Sequence, residues 1–167
     1  MRRRLELDVF TPGGAVSLLP VESLYRMWAD PQARGRRHAC AFGAARHMYL
    51  GDSAHHVKAI LRRLGLDVPE GFEAMPDHIS LLCELAAIFA ESGNVGALGG
   101  FLREHFYWTA TYASELASRR AELEACRDES MRASECVEAI DHALALLAEV
   151  DDVVAQLTGR LERRKSA

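Results

Sequence analysis

The last third of the chain carries the pattern that most restricts its fold, an apolar residue at every third or fourth position. A helix over about 131–163 gathers these residues into one narrow seam along its side. Such a seam needs a partner, either another helix of the same chain or a second copy of it. The seam consists of Ile140, Leu144, Leu147, Val150, Val154, Leu157 and Leu161.

Strand signals are nearly absent from the 167 residues, and the helix formers Ala, Leu, Glu and Arg dominate. The sequence therefore predicts a single all-α domain, a bundle of about five to six helices that follows an irregular lead-in over 1–20. Before the final helix, the pattern predicts one helix that begins at Pro76 and others over about 21–29, 34–50, 54–64 and 97–121.

Composition and charge exclude several classes of protein. The formal net charge of −4 gives no reason to expect nucleic acid as a partner. Glu6 and Asp8 interrupt the apolar residues after the first arginines, so no export signal is predicted, and no run approaches the length of a membrane span. The four cysteines form no CxxC pair, which predicts reduced thiols in a cytoplasmic protein.

Acidic residues crowd the late part of the chain. Four arginines and ten Asp or Glu residues stand between Arg119 and Asp152, both included. A solvated helix face is the preferred interpretation of this bias. The alternative interpretation is an acidic surface that attracts a basic peptide.

An acid and an imidazole stand side by side where a helix is predicted to begin, in the stretch MPDHISLLCELAAIF. Unpaired N–H groups in a first helical turn favour a carboxylate, which is a sufficient reason for Asp77. A charged imidazole is disfavoured there, so we expect His78 to be neutral near pH 7 and able to form a hydrogen bond. The residues alone leave helix capping, half of a catalytic pair and part of a binding site open.

No complete catalytic or metal-binding motif accompanies this pair. The sequence has no GxSxG elbow, no HExxH and no phosphate loop in GNVGALGG. His55 and His56 are adjacent, and His38 and His47 are nine positions apart, so neither pair stacks on one helix face. The chain is thus predicted to be no enzyme and to hold no metal or cofactor.

The stretch HFYW, His105 to Trp108, places four bulky side chains in succession within the helix predicted over 97–121. Consecutive side chains point around a whole helix, so at least one should be exposed or should face another element. Phe101 and Phe106 are predicted to be core residues. An exposed aromatic side chain beside polar groups would suit a peptide anchor.

Three stretches, in the same order, resemble the TorD/DmsD/NarJ family of redox-enzyme maturation chaperones. MPDHISLLCELAAIF resembles the Asp-His pair that follows a proline and opens a helix rich in Leu and Glu. FLREHFYWTATYASELA resembles the later helix of the family, and VFTPGGAVSLLPVESLYRMW resembles the segment that leads to Pro-x-Glu-Ser-x-Tyr. The order Met-Pro-Asp-His is similar to the nitrate reductase chaperone branch.

The resemblance implies a cytoplasmic chaperone that binds the twin-arginine signal peptide or the apo form of a molybdopterin oxidoreductase and assists cofactor insertion before export or assembly. A guanidinium favours bidentate pairing with a carboxylate, and an apolar peptide helix favours a groove. We therefore expect Asp77 to meet the charged end of the peptide and His78 to form a neutral hydrogen bond. The other candidate peptide-binding residues are Glu22, Ser23, Tyr25, Trp28, His105 and Trp108.

Several alternatives stay open at this point. Asp77 and His78 could instead bridge helices and hold the loop 66–75 in place. The usual amino-terminal helices of the family are not recognisable, and we expect the exposed apolar faces to be covered in a homodimer, with helix exchange as one route. The other functional classes are a helical adaptor or oligomerisation module and a weak nucleotide-binding switch. The sequence does not name the client enzyme.

Overall fold

A computed structural model describes residues 18–26, 49–125 and 131–165, with the side chains of the last segment described over 135–164. The predicted all-α class is confirmed, since the only strand-like pairing in these residues is an isolated bridge between Val21 and His78. None of the described helices is long and apolar enough to cross a membrane. The helices are α1 (Glu22–Tyr25), α2 (Asp52–Leu64), α3 (Ile79–Glu91), α4 (Val95–His105), α5 (Thr109–Ala125) and α6 (Met131–Lys165).

The chain divides into two compact units, Val21–Ile88 on the one hand and Met1–Pro20 with Phe89–Ala167 on the other. In the Val21–Ile88 unit, α1 contacts α2. Helix α2 ends where predicted, at Gly65, whose φ of 71° is the left-handed conformation that glycine adopts without strain. The buried apolar side chains of this unit are Val21, Tyr25, Ala54, Val57, Leu61, Leu81, Leu82 and Leu85.

The second unit, here called the carboxyl-terminal unit, is built by α4, α5 and α6. Helix α6 packs against both α5 and α4. Gly99 of α4 lies against α6, since an added Cβ would lie 3.4 Å from Leu161 Cδ1. The apolar seam predicted for the last helix therefore has a partner within the chain, with Ile140, Leu147 and Leu161 buried.

The prediction of a single helix over 97–121 is wrong, because Phe106, Tyr107 and Trp108 separate α4 from α5. Phe106 and Trp108 are both buried while Tyr107 is 55% exposed, a combination that the turn permits. Side chains replace the interrupted helical hydrogen bonds: Trp108 Nε1 donates to the His105 carbonyl at 2.8 Å, and Thr109 Oγ1 donates to the Phe106 carbonyl at 2.8 Å. The predictions that one residue of HFYW is exposed and that Phe101 and Phe106 are core residues are confirmed.

Several other helix boundaries also differ from the predicted ones. The helix predicted over 21–29 ends at Tyr25, because Arg26 adopts an extended conformation with φ −78° and ψ 127°. The helix predicted from Pro76 begins at Ile79. The predicted helix over 34–50 lies outside the described residues except for its last two positions, which form a turn.

Candidate functional site

Asp77 joins the start of α1 to the segment before α3 through two hydrogen bonds. Its carboxylate Oδ2 accepts from the Ser23 backbone N–H at 2.7 Å, and its backbone carbonyl accepts from the Glu22 N–H at 3.1 Å. Both donors belong to the first turn of α1, where N–H groups have no partner within the helix. Asp77 therefore caps α1, although it was predicted to lie in the first turn of the helix that follows it in sequence.

His78 caps α3 with its side chain. Its carbonyl accepts from the Leu82 N–H at 3.1 Å, and its Nδ1 accepts from the Ser80 N–H at 3.2 Å, which is the arrangement of an N-cap residue. Nδ1 can accept only when it carries no proton, so this cap requires the neutral imidazole with its proton on Nε2. Burial lowers the pKa of the His78 imidazole. This agrees with the expected neutral form, although the expectation rested on the position of His78 at a helix start and not on burial.

We call this arrangement the Asp77–His78 cap, since one residue caps α1 and the next caps α3. It also holds the preceding loop. The His78 N–H donates to the Met75 carbonyl at 3.1 Å, and the Phe72 ring lies edge-on to the imidazole with 5.2 Å between ring centroids. This geometry agrees with the structural alternative, in which the pair bridges helices and fixes the loop 66–75.

The polar groups around the cap are buried. Asp77, Glu22 and Ser23 have no solvent-exposed surface, whereas His78 is half-buried. Asp77 Oδ1 and Ser23 Oγ form no hydrogen bond within the described residues. An arginine from a partner would therefore reach the Asp77 carboxylate only if the groups around it moved.

Glu22 is already paired with a guanidinium of its own chain. Arg26 Nη1 lies 2.9 Å from Glu22 Oε1, one helical turn away, with the Arg26 side chain 19% exposed. Full burial of a carboxylate is unfavourable unless hydrogen bonds compensate for lost water, and Arg26 provides this compensation. The i, i+4 spacing is visible in the sequence and is the signal by which this pair could have been predicted.

The structure brings together five of the eight predicted peptide-binding residues. Glu22, Ser23, Tyr25, Asp77 and His78 all lie in the Val21–Ile88 unit, and Tyr25 is buried on α1. Phe72, Val21 and Arg26 also belong to this site and were not predicted. The sixth predicted residue, Trp28, lies outside the described residues.

The last two predicted residues, His105 and Trp108, belong to the carboxyl-terminal unit. Both are buried, and Trp108 Nε1 donates to the His105 carbonyl. The His105 ring lies 4.6 Å from the Phe101 ring, centroid to centroid. In this unit both residues are part of the packing at the junction between α4 and α5.

One known protein family matches most of the chain. The family described as nitrate reductase delta subunit matches residues 7–113. The chain belongs to this family. No curated protein and no solved structure matches it.

Membership of the nitrate reductase delta subunit family makes the chain a redox-enzyme maturation chaperone, of a kind that works with the catalytic subunits of molybdoenzymes. The resemblance noted in the sequence is thereby confirmed. The matched residues contain the whole Asp77–His78 cap and end within α5. Helix α6 lies beyond them.

Proposed function

We propose that this chain binds the catalytic subunit of a molybdopterin oxidoreductase before its cofactor is inserted, and releases it for export or assembly afterwards. Membership of the nitrate reductase delta subunit family is the observation that carries the proposal. The local structure suits a binding protein, since the four-residue α1 and the loop before α3 are held at the cap by hydrogen bonds.

We further propose that the amino-terminal leader of the client docks beside the Asp77–His78 cap. Helix α1 is only four residues long, too short to be stable by itself, and Asp77 supplies hydrogen-bond acceptors for its first turn. Asp77 therefore acts as a positioning residue for α1. The half-buried His78 is the member of the pair that a docked peptide can contact without displacing α1.

Glu22 offers a route to recognition of arginine. A guanidinium already contacts its carboxylate in the free chain, in the form of Arg26. A leader arginine would engage Glu22 by replacing Arg26, because the two cations have the same planar donor geometry. Lysine cannot reproduce this geometry, so a leader with paired lysines should bind more weakly.

The test is a calorimetric titration of the full chain with leader peptides from the molybdopterin oxidoreductases of the host. A peptide with its two arginines is compared with the same peptide carrying two lysines, and the apo catalytic subunit is titrated in parallel. We expect binding of the apo subunit and at least a tenfold preference for arginine over lysine, about 1.4 kcal/mol. Equal affinity for both peptides would contradict leader recognition. The absence of binding to every apo subunit would contradict the chaperone function as proposed.

A further inference from the structure

Helix α6 has an exposed side that flanks its packed seam, and the half-buried Leu157 belongs to both. At 3.6 residues per turn, positions 146, 149, 153, 157, 160 and 164 fall on one side of a helix. Leu146 is 49% and Val153 55% exposed, which makes them two of the most exposed large apolar residues described. We call this side the α6 outer face, and it consists of Leu146, Glu149, Val153, Leu157, Arg160 and Arg164.

Charge is distributed unevenly along the α6 outer face. Glu149 lies in its first half and Arg160 and Arg164 lie in its second half, with Val153 and Leu157 between them. All three charged side chains are exposed, and none of them forms an ion pair within the described residues. A face with this order of charges is complementary to itself when two copies run in opposite directions.

The pairing can be followed residue by residue about a twofold axis near Ala155. Val153 of one copy then lies opposite Leu157 of the other, and Leu146 lies opposite the Arg164 stem. Glu149 of one copy lies between Arg160 and Arg164 of the other. Each apolar contact and each charge pair occurs twice, as a symmetric interface requires.

A groove in the carboxyl-terminal unit provides room for the second copy. It has a volume of about 590 Å³ and runs beside the second half of the outer face. Phe89, Leu98 and Leu161 are among the apolar residues that line it, and arginines 160, 163 and 164 also line it. A basic leader would be repelled by three arginines, whereas an acidic and apolar helix side is attracted to them.

We propose that the α6 outer face is a homodimer interface, in which the first half of the face of one copy occupies the arginine-lined groove of the other in antiparallel orientation. The α6 outer face lies beyond the family match of 7–113, whereas Phe89 and Leu98 of the groove lie within it. It differs from helix exchange, because each α6 keeps its packing on α4 and α5 of its own chain. The proposal does not depend on which client the chaperone serves.

Sedimentation equilibrium of the full chain tests this interface with two charge-reversal variants. In a homodimer of Glu149→Arg, the new arginine of one copy lies between Arg160 and Arg164 of the other. In a homodimer of the double variant Arg160→Glu with Arg164→Glu, Glu149 of one copy lies between two new carboxylates of the other. For each variant alone, the dissociation constant of the homodimer is expected to be at least tenfold higher than for the unmodified chain. The helical circular dichroism spectrum should be unchanged. Glu122→Arg on α5, an exposed position away from the face, is the control and should dimerise normally.

Mixing the two variants decides the question, because reversed charges on both sides are again complementary. We expect an equimolar mixture to form a heterodimer with an affinity close to that of the unmodified dimer. The proposal is overturned if the unmodified chain is a monomer at about 100 μM, if either variant dimerises normally, or if the mixture stays monomeric. The unmodified chain offers one more test. Raising the salt concentration should weaken its dimer, and a dimer whose dissociation constant does not depend on salt would contradict the charge pairing.

Discussion

The Asp77–His78 cap and the α6 outer face use charged and polar residues in opposite ways. At the cap, two carboxylates are buried: Asp77 accepts a hydrogen bond from the Ser23 N–H, and Glu22 pairs with Arg26. On the α6 outer face, Glu149, Arg160 and Arg164 are exposed and form no ion pair within the described residues. The difference teaches that a recognisable acidic motif does not reveal whether its charge faces a partner or supports the fold. Substitutions at the cap should change stability, and substitutions on α6 should change association.

The largest contrast is expected between two leucines. Leu82→Ala removes a fully buried side chain of α3 and should lower the free energy of unfolding by about 2–5 kcal/mol. Leu146→Ala removes an exposed side chain and should change the unfolding free energy of the monomer by less than about 0.5 kcal/mol. Urea unfolding at low protein concentration measures both values. Equal costs for the two substitutions would remove the distinction between the two regions.

The next effect concerns the cap of α1. Asp77→Ala removes the acceptor of the Ser23 N–H and should lower the free energy of unfolding by about 1–3 kcal/mol. Asp77→Asn keeps an oxygen acceptor at the same position and should cost clearly less. Thermal unfolding of both variants checks this, and an unchanged melting temperature for Asp77→Ala would show that the cap contributes nothing to stability.

A smaller effect is expected from the protonation of His78. Burial holds its pKa below the ordinary value of 6.5, so the unfolded chain binds the proton more readily than the folded chain. The contribution of the neutral imidazole is complete above pH 6.5 and is lost as the pH falls from there towards the folded-state pKa. His78→Asn keeps a side-chain cap that does not titrate. The unfolding free energy of this variant should therefore depend less on pH below 6.5, and an identical pH dependence would contradict the neutral cap.

The smallest effect is expected for an exposed ion pair. Arg120 of α5 donates two hydrogen bonds to Asp141 of α6, at 2.5 and 3.2 Å, and this guanidinium lowers the pKa of the Asp141 carboxyl. Both groups are solvated, so Asp141→Asn should leave the melting temperature nearly unchanged, and salt should remove the remaining difference. A large loss of stability would mean that α5 and α6 depend on this pair more than on their apolar contacts.

Much of the fold could be predicted from the sequence because periodic apolar residues encode it locally. The 131–163 helix and the stop at Gly65 both depend on neighbours within a few positions. The break after His105 could not be predicted in this way. There the burial of Phe106 and Trp108 on either side of an exposed Tyr107 overrides good helical spacing, and that is a consequence of tertiary packing.

The candidate site could likewise be predicted only in part from the sequence. The Asp-His motif could be found by inspection, and so could the neutral state expected for His78. The hydrogen bond from the Ser23 N–H to Asp77 joins residues 54 positions apart, and no local sequence pattern predicts it. Full burial of Asp77 follows from that long-range pairing. A single sequence therefore identifies the pair but not which helix each residue caps.

The most direct measurement is a calorimetric titration of a twin-arginine leader peptide into the Asp77→Asn variant, beside the unmodified chain. Our account holds that Asp77 positions α1 and does not contact the peptide, so the affinity per folded molecule should agree within about twofold. A tenfold or greater loss of affinity at an unchanged melting temperature would show that the Asp77 charge itself binds the leader, and would contradict the account.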